Sequence, residues 1–538
     1  MTQTSGVRWW SLCFVSLFLM IGAWSLALPV NGAYDEKQHL VRAYAVASGQ
    51  LAPAGTALDT RGYRIDAFAA PRSLLPLGTS VDCTWWQPPK PAGCQRWTND
   101  RRRVLTPTRA SRYSPLYYAV VGLPLLGHPD RGGIVLARLM SAFAAALLLG
   151  SAVWLALRSG RRLLAVAVVA VVTPTALDLA GAVNPNGLEI AAGILVGTAL
   201  AVSLLDRVDR VTLWSASVGS VLLLTVRELG PLLLALVVAA AALLAGRYRI
   251  VALARRRDAR WIVGGGWLVG AVYAAWWLLY SGGVATSDPP EPAVLGPRQL
   301  IIELGQRVPS YLNQMVAKFS YGEFDVSPVV AVCWYLLLGL VVAVSLRSAS
   351  PRARLVVAGL GAACLGVLIL LDVYYLPRFG WFAQGRYAMP AAVAVPFFAT
   401  VAGRVEDRRG RVAVAAAVLT VPLHGYALAA VMTRFSAGVG APLRAFAGSP
   451  LPGVGRVLPP VVLLAGAVLL WGTVLVAGAR MAADIRAGTT PRTAGAVPRQ
   501  RSAEVGAGLD MPALSQWLTR TKMTATQTVA RVKHSGAR

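Results

Sequence analysis

Acidic side chains are scarce in this chain. Its 538 residues carry 24 Asp and Glu against 52 Lys and Arg, and charged residues of both signs reach only 14%. A water-soluble domain carries about 25%, so an ordinary soluble fold is excluded. Histidine is rarer still. His39, His128, His424 and His534 are scattered with no ligand spacing, and the five cysteines form no zinc motif, so the residues present no metal centre. No P-loop, dinucleotide-binding glycine fingerprint or Ser-x-x-Lys pair occurs. The chain therefore lacks an evident means of using ATP or a soluble nucleotide donor.

What fills the sequence is apolar. Hydrophobic residues make up 56% and the mean hydropathy is +0.56. Apolar runs of about 20 residues recur, each enough to cross a hydrocarbon core about 30 Å thick. Lipid offers backbone amides no partners, so such runs must be helices. The pattern predicts an all-α polytopic membrane protein of about twelve transmembrane helices. The first covers Trp9–Pro29; the others fall near 134–157, 163–181, 188–205, 212–228, 230–246, 261–281, 328–346, 354–373, 387–403, 412–432 and 459–479. Together 1–480 form one membrane domain, with large loops at 31–133 and 282–327 and a basic, disordered tail at 481–538. Within the first loop, "SRYSPLYYAVVGLPLLG" (111–127) is too short and proline-broken for a span and fits an interfacial or re-entrant helix. Within the tail, 512–532 has weak amphipathic character.

The net charge of +28 would point to nucleic acid in a soluble protein. Here the arginines gather in short loops at 158–162, 206–210, 247–260, 347–354 and 404–411. That is the positive-inside pattern, so the basic balance calls for a lipid bilayer and no nucleic acid. It puts both termini in the cytoplasm of a multi-pass plasma-membrane protein, and both long loops outside. Cys83 and Cys94 then lie in an oxidising space, and their spacing fits a small disulfide-bridged loop. Cys13, Cys333 and Cys364 lie in apolar runs as packing residues.

Three polar groups sit at the outer mouths of the helices, where ionisable residues are functional candidates by default. The first is "DEKQH" with Arg42. On a helix, Asp35, His39 and Arg42 share a face by their i, i+4, i+7 spacing. Asp35 or Glu36 could act as a general base, or the pair could hold a divalent cation, the one cofactor left open. The competing reading is a helix start, with Asp35 as cap and Glu36 at the positive dipole end. The second is "NPNGLE" (184–189), where Asn184 and Asn186 form turns and Asn186 with Glu189 reads as a capping box. Asp178, just upstream, is an unexplained acid in an apolar run. The third is "LPRFGWFAQGRY" (376–387), where Arg378 and Arg386 flank Gln384, Tyr387 and further aromatics. Arginine suits phosphate, although Arg378 could equally be a snorkelling anchor. Arg227 and Glu228, adjacent at another outer helix end, read as an ion pair lining the same cavity. Lys318, Glu323 and Asp325 bring further charge from the second outer loop.

In order, "DEKQH" (35–39), "SPLYY" (114–118), "NPNG" (184–187) and "QGRY" (384–387) resemble domain-of-unknown-function family 2142 of bacterial membrane proteins. Lys-Gln stands here where Pro-Ala is common in the first motif. That family looks like the GT-C superfamily of membrane glycosyltransferases. The resemblance implies a GT-C-like fold with a large first extracytoplasmic loop, a polyprenyl-phosphate-linked sugar donor and a cell-envelope glycan or lipid acceptor. It also implies a catalytic acid in the first outer loop, at Asp35 or Glu36. Substrate contacts would come from His39, Arg42, Tyr117, Asn184, Asn186, Glu189, Arg227, Glu228, Arg378, Gln384, Arg386 and Tyr387. The rival expectations are a transporter or flippase of a lipid-linked glycan and a non-catalytic envelope scaffold.

Overall fold

The computed structural model of the chain describes residues 3–205, 208–282, 292–403, 405–407, 409–442 and 457–486. The tail beyond 486, with the amphipathic stretch 512–532, lies outside the described residues. Helix α1 (Gln3–Ala27) leads into α2 (Glu36–Ala47) and a three-stranded antiparallel sheet of β1 (Gly55–Leu58), β2 (Arg64–Pro71) and β3 (Arg103–Pro107), ordered β1-β2-β3. Two short helices follow, α3 (Pro115–Val121) and α4 (Leu123–Gly127). Then come α5 (Arg131–Arg158), α6 (Arg162–Ala170), α7 (Pro174–Gly181), α8 (Pro185–Ser203), α9 (Arg210–Val226) and α10 (Gly230–Arg255). A π turn at Arg260–Gly264 joins α11 (Arg257–Ala259) to α12 (Gly265–Tyr280). The second long loop holds α13 (Pro297–Gln314) and a hairpin of β4 (Lys318–Phe319) and β5 (Phe324–Asp325). The chain continues through α14 (Pro328–Leu346), α15 (Pro351–Phe379), α16 (Met389–Ala392), α17 (Ala394–Ala402), α18 (Arg411–Ala437) and α19 (Leu458–Arg486).

Among the described residues nine helical segments are long and apolar enough to cross a membrane, and α6 with α7 makes a tenth if read as one span bent by 62°. The apolar helices Arg210–Val226 and Met389–Ala402 are shorter. At 1.5 Å per residue they fall below the thickness of the hydrocarbon core. The membrane part is helical as expected, and both small sheets lie in the loops. Burial ranks the helices. In α8, 89% of the apolar window is buried, against 11% in the segment Arg257–Tyr280, so α8 is central and α12 faces lipid. Exposed Trp261 at one end of that segment and exposed Trp276 and Tyr280 near the other are about 23–29 Å apart along the axis. That spacing suits two interfacial aromatic belts.

One face of the bundle is laced by arginine. Arg161 pairs with Glu406 and Arg158 with Asp209, while Arg256 donates to the Val208 carbonyl (2.9 Å) and Arg352 to that of Leu243 (2.9 Å). These contacts bring all five arginine-bearing loops to one end. The segment 247–255, expected as loop, continues α10 past a break at Gly246 (φ 75).

The opposite face carries the long loops. Phe68 of β2, fully buried, packs on Val41 and Ala45 of α2, so the sheet clamps α2 against the bundle. Cys83 and Cys94 are bonded. The 111–127 stretch forms α3 and α4, with Leu116, Val120, Leu123 and Leu126 exposed on one side and Tyr117, Tyr118 and Leu125 buried on the other. An outward apolar stripe of this kind fits a lipid interface.

At the junction of α1 with this loop face lies Arg138 of α5, fully buried. It binds both oxygens of Glu36 (2.6 Å each) and donates to the carbonyls of Ser25 (3.0 Å), Leu28 (2.8 Å) and Pro29 (2.7 Å). The Ser25 carbonyl is one of the orphans that any helix C-terminus leaves, and Leu28 and Pro29 are the first two residues past the end of α1. Arg138→Met strands the Glu36 carboxylate and is expected to cost about 3–5 kcal/mol, read as a lower unfolding midpoint in detergent. The double variant Arg138→Met/Glu36→Leu should recover most of the loss.

Candidate active site

Asp35 is the N-cap residue of α2 by position, yet its side chain makes no capping bond. Its backbone is left-handed (φ 57, ψ 10), a conformation that Asp tolerates better than most residues. Asn31 takes over the capping duty: its Oδ1 accepts the Lys37 N–H (3.3 Å). The expectation that Asp35 caps α2 is thereby corrected. Its carboxylate is released to accept from Arg386 (2.6 Å), and it keeps 29% side-chain exposure. Tyr321 also hydrogen-bonds to it. Burial, the largest single influence, pushes this carboxyl up, but the Arg386 guanidinium and the hydrogen bonds from Arg386 and Tyr321 act with it in the opposite sense and together hold the group below the usual carboxylate range.

Glu36 points the other way. It is wholly buried, saturated by Arg138 and further capped by the backbone N–H groups of Asn31 (2.9 Å) and Val183 (3.3 Å). Adjacent carboxylates thus differ completely: one is locked inside and one is open.

Arg386 reaches Asp35 because the "QGRY" turn is pressed inward. At Gly385 a Cβ would lie 1.9 Å from the Tyr311 carbonyl oxygen, so only glycine permits this approach. Its N–H donates to Gln314 Oε1 (2.6 Å). Just upstream, Asp372 Oδ1 accepts the backbone N–H groups of Phe382 (2.9 Å) and Ala383 (2.6 Å), while Oδ2 binds Arg307 (2.6 Å) and the Tyr311 hydroxyl. From the bundle side, Gly193 of α8 lets the Pro390 carbonyl come so close that a Cβ would sit 2.1 Å from it. Gln384 Oε1 accepts from Arg386 Nε (2.7 Å).

A second arginine flanks the same tyrosine. The Arg386 guanidinium lies 5.3 Å from the Tyr387 ring centre and that of Arg227 lies 4.8 Å from it. Arg227 pairs with buried Glu189 (3.1 Å), whose Oε2 also accepts from Asn186 Nδ2 (3.0 Å). Two carboxylates and two arginines, from four distant segments, thus meet around Tyr387 and Tyr34, over whose ring Arg386 sits (4.4 Å). Such an array can hold a phosphate oxygen by charge and by arginine's planar fork. Asp178 is also buried, and neither of its carboxylate oxygens has a hydrogen-bond partner.

The family model described as "Predicted membrane protein (DUF2142)" matches residues 18–395. The chain belongs to the DUF2142 family. Two solved structures are similar to it. One is ArnT from Cupriavidus metallidurans bound to undecaprenyl phosphate, with TM-score 0.38, 13% identity, and coverage of 91% of this chain and 79% of that one. The other is apo ArnT from the same organism, with TM-score 0.41, 14% identity, and coverage of 88% and 76%. No curated protein matches the sequence at a significant level.

In this DUF2142 chain the motif residues divide into those that converge and those that do not. Asp35, Gln384, Arg386, Tyr387, Arg227, Glu189 and Asn186 converge. Asn184 is the true N-cap of α8, accepting from the Asn186 N–H (3.0 Å) and donating to the Tyr34 carbonyl (2.8 Å). The expected cap at Asn186 is corrected by two residues, because Pro185 occupies the first helical position where its missing N–H costs nothing. Tyr117 bonds Ser141 (2.9 Å) inside the core. Arg42 is spent on the carbonyls of Leu51 (2.9 Å) and Tyr113 (3.1 Å), which pins the loop. Arg227 turns to Glu189, and Glu228 is exposed. The expected Arg227–Glu228 pair is corrected accordingly. Arg378 lies on the last turn of α15, exposed and folded over Tyr374 (4.0 Å), which is the anchor reading. Lys318 and Asp325 pair with each other (3.3 Å), and Glu323 is buried against Arg434 (3.0 Å). Among the described residues no group of three or more His, Cys, Asp or Glu is arranged to hold a metal ion.

The sequence reading missed Arg138, Asp372, Tyr321 and Tyr118. The first two are ionisable residues in apolar runs, which is itself a signal. Tyr118 stands beside Tyr117 in the quoted "SPLYY", and Tyr321 alone gave no signal of its own.

His39 completes the wall. It is buried, with Nδ1 2.8 Å from the Tyr118 hydroxyl, and burial pushes its imidazole down to about 3. The folded imidazole stays neutral between about pH 3 and 6.5 while the unfolded chain takes up a proton there. Stability should therefore fall on acidification from pH 7 to pH 4. In thermal melts, His39→Gln should flatten that slope relative to the unaltered protein.

Proposed function

We propose that this protein is a membrane glycosyltransferase that moves a sugar from a polyprenyl-phosphate donor to a cell-envelope glycan or lipid. The arginine-laced face is cytoplasmic by the positive-inside rule, which puts the loop face and the site outside the plasma membrane and both termini inside. The observation that carries the reading is the Asp35–Arg386 contact: an uncapped, solvent-reachable carboxylate bonded to an arginine 351 positions away in sequence.

In this reading Asp35 is the general base. It takes the proton of the acceptor hydroxyl as that oxygen bonds to the anomeric carbon. The bond from the anomeric carbon to the phosphate oxygen breaks, and the lipid phosphate leaves as an anion. Arg386 and Arg227, both against Tyr387, receive its charge. The ion pair also has a gating consequence. While Arg386 holds Asp35, the carboxylate is a weak base. A phosphate that recruits Arg386 loosens that hold and strengthens the base when the donor is present. Glu36 is a positioning residue: its pairing with Arg138 fixes the turn from which Asp35 projects. No step requires a metal, and a divalent cation between phosphate and Asp35 remains compatible with the charge.

A transport role draws support from one feature, the bent α6–α7 pair with unpartnered Asp178, since transporters bind substrate and ions at broken helices and intramembrane acids mark ion pathways. The arginines and paired carboxylates, however, gather at the loop end of the bundle.

In nanodiscs with a radiolabelled polyprenyl-phosphate sugar, Asp35→Asn should lower transfer by about 100-fold or more while the donor still binds. Glu36→Gln should lower the unfolding midpoint and leave measurable transfer in the folded fraction. Full transfer by Asp35→Asn refutes the assignment, and label crossing the bilayer unmodified, lost in Asp178→Asn, favours transport.

A further inference from the structure

The first loop holds a cavity of about 310 Å³ beside the site but outside it. Its volume lies at the lower end of small-molecule sites, about 300–1,000 Å³. The first turn of α2 supplies one wall through Lys37 and Gln38, the end of β1 another through Leu58 to Thr60, and β3 a third through Val104 to Thr106. None of these residues has a place in the chemistry proposed above.

Two of the three charged residues that line this cavity are already paired. Lys37 pairs with Asp82, and Thr60 also bonds Asp82; Asp59 pairs with Arg109. Arg72, exposed at the rim, makes no side-chain hydrogen bond among the described residues. With Arg72 as the single unpaired charge of its lining among the described residues, the cavity lacks the cluster of cations that selects a polyanion. It offers hydroxyl and amide groups (Thr60, Thr79, Thr106, Gln38) beside apolar surface from Leu58, Leu75 and Val104. Alternating hydrogen-bonding groups and aliphatic C–H faces is the surface that a neutral sugar presents.

The position adds direction. Gln38 N–H donates to the Asp35 carbonyl (2.9 Å), so cavity wall and base belong to a single helical turn, about 5.4 Å in rise. A second link runs through side chains. The Lys37 ammonium lies over the Trp85 ring (4.4 Å), Trp85 packs on Tyr321 (3.7 Å between ring centres), and Tyr321 bonds Asp35.

We infer that this cavity is the acceptor subsite and holds one or two units of a neutral saccharide chain whose terminal hydroxyl is presented to Asp35. The inference rests on the glycosyltransferase reading for its purpose, but binding can be measured apart from turnover. The probes are linear tetrasaccharides of galactose, mannose and arabinose, titrated against full-length Asp35→Asn protein in nanodiscs. At least one should bind, and Val104→Trp or Thr106→Trp, each filling the cavity from a partly exposed strand, should weaken it at least tenfold. In the active protein the same two variants should raise acceptor KM at least tenfold and leave donor KM unchanged. If none of the probes binds at millimolar concentration, the inference is overturned. It is equally overturned if both filled variants, folded by their unfolding midpoints, bind as tightly as the parent. Binding of anionic lipid vesicles at this cavity in place of the saccharides also overturns it. Saccharide binding lost in the filled variants, with no transfer by the unaltered protein, would keep the subsite and defeat the transferase reading alone.

Discussion

The Arg138 guanidinium is the constraint on which the loop face depends. A charge at this depth is expensive unless every donor finds a partner. Its partners are both Glu36 oxygens and three carbonyls where α1 ends. One side chain thus closes the end of the first helix, neutralises the adjacent acid and sets the direction in which the chain leaves the bundle. Glu36 and Arg138 are both fully buried, so neither can be removed alone without leaving an uncompensated charge.

From that fixed point the geometry of the site follows in steps. With Glu36 turned inward and Asn31 capping α2, Asp35 is forced outward in a left-handed conformation. The other half of the site is built independently, by Asp372 gathering the loop before "QGRY" and by Gly385 permitting contact with α13. The two halves meet in a single ion pair. Arg42, His39 and the sheet stiffen the first half, and Arg307 and Gln314 stiffen the second. An array held this way loses little further entropy on binding a ligand, which is the advantage of a preorganised electrostatic site.

Much of this architecture was legible in the chain, and the exceptions have physical causes. Apolar runs announce helices because lipid allows nothing else, and arginine in the short loops gathered them correctly on one face. Boundaries failed where helices outlast their apolar stretch. The last turn of α15 holds Arg378 on its exposed side, away from the Asp35–Arg386 contact, and α10 continues through a segment rich in arginine. "DEKQH" and "QGRY" do come together, through Asp35 and Arg386, but the different surroundings of Asp35 and Glu36 did not show, because they depend on Arg138 arriving from 102 positions away. The capping box at 186–189 misled for a related reason: Asn186 and Glu189 do bond, yet they do so to hold Arg227. The sheet in the first loop escaped notice because its strands are short and only β2 buries a run of side chains.

The most direct test of the central claim is a structure of the protein in nanodiscs with a polyprenyl phosphate bound. The phosphate should lie between Arg386 and Arg227 beside Tyr387, with the Arg386–Asp35 contact lengthened and Asp35 facing open space. A phosphate bound on the arginine-laced face, or one on the loop face that leaves both arginines untouched and the ion pair intact, would contradict the account.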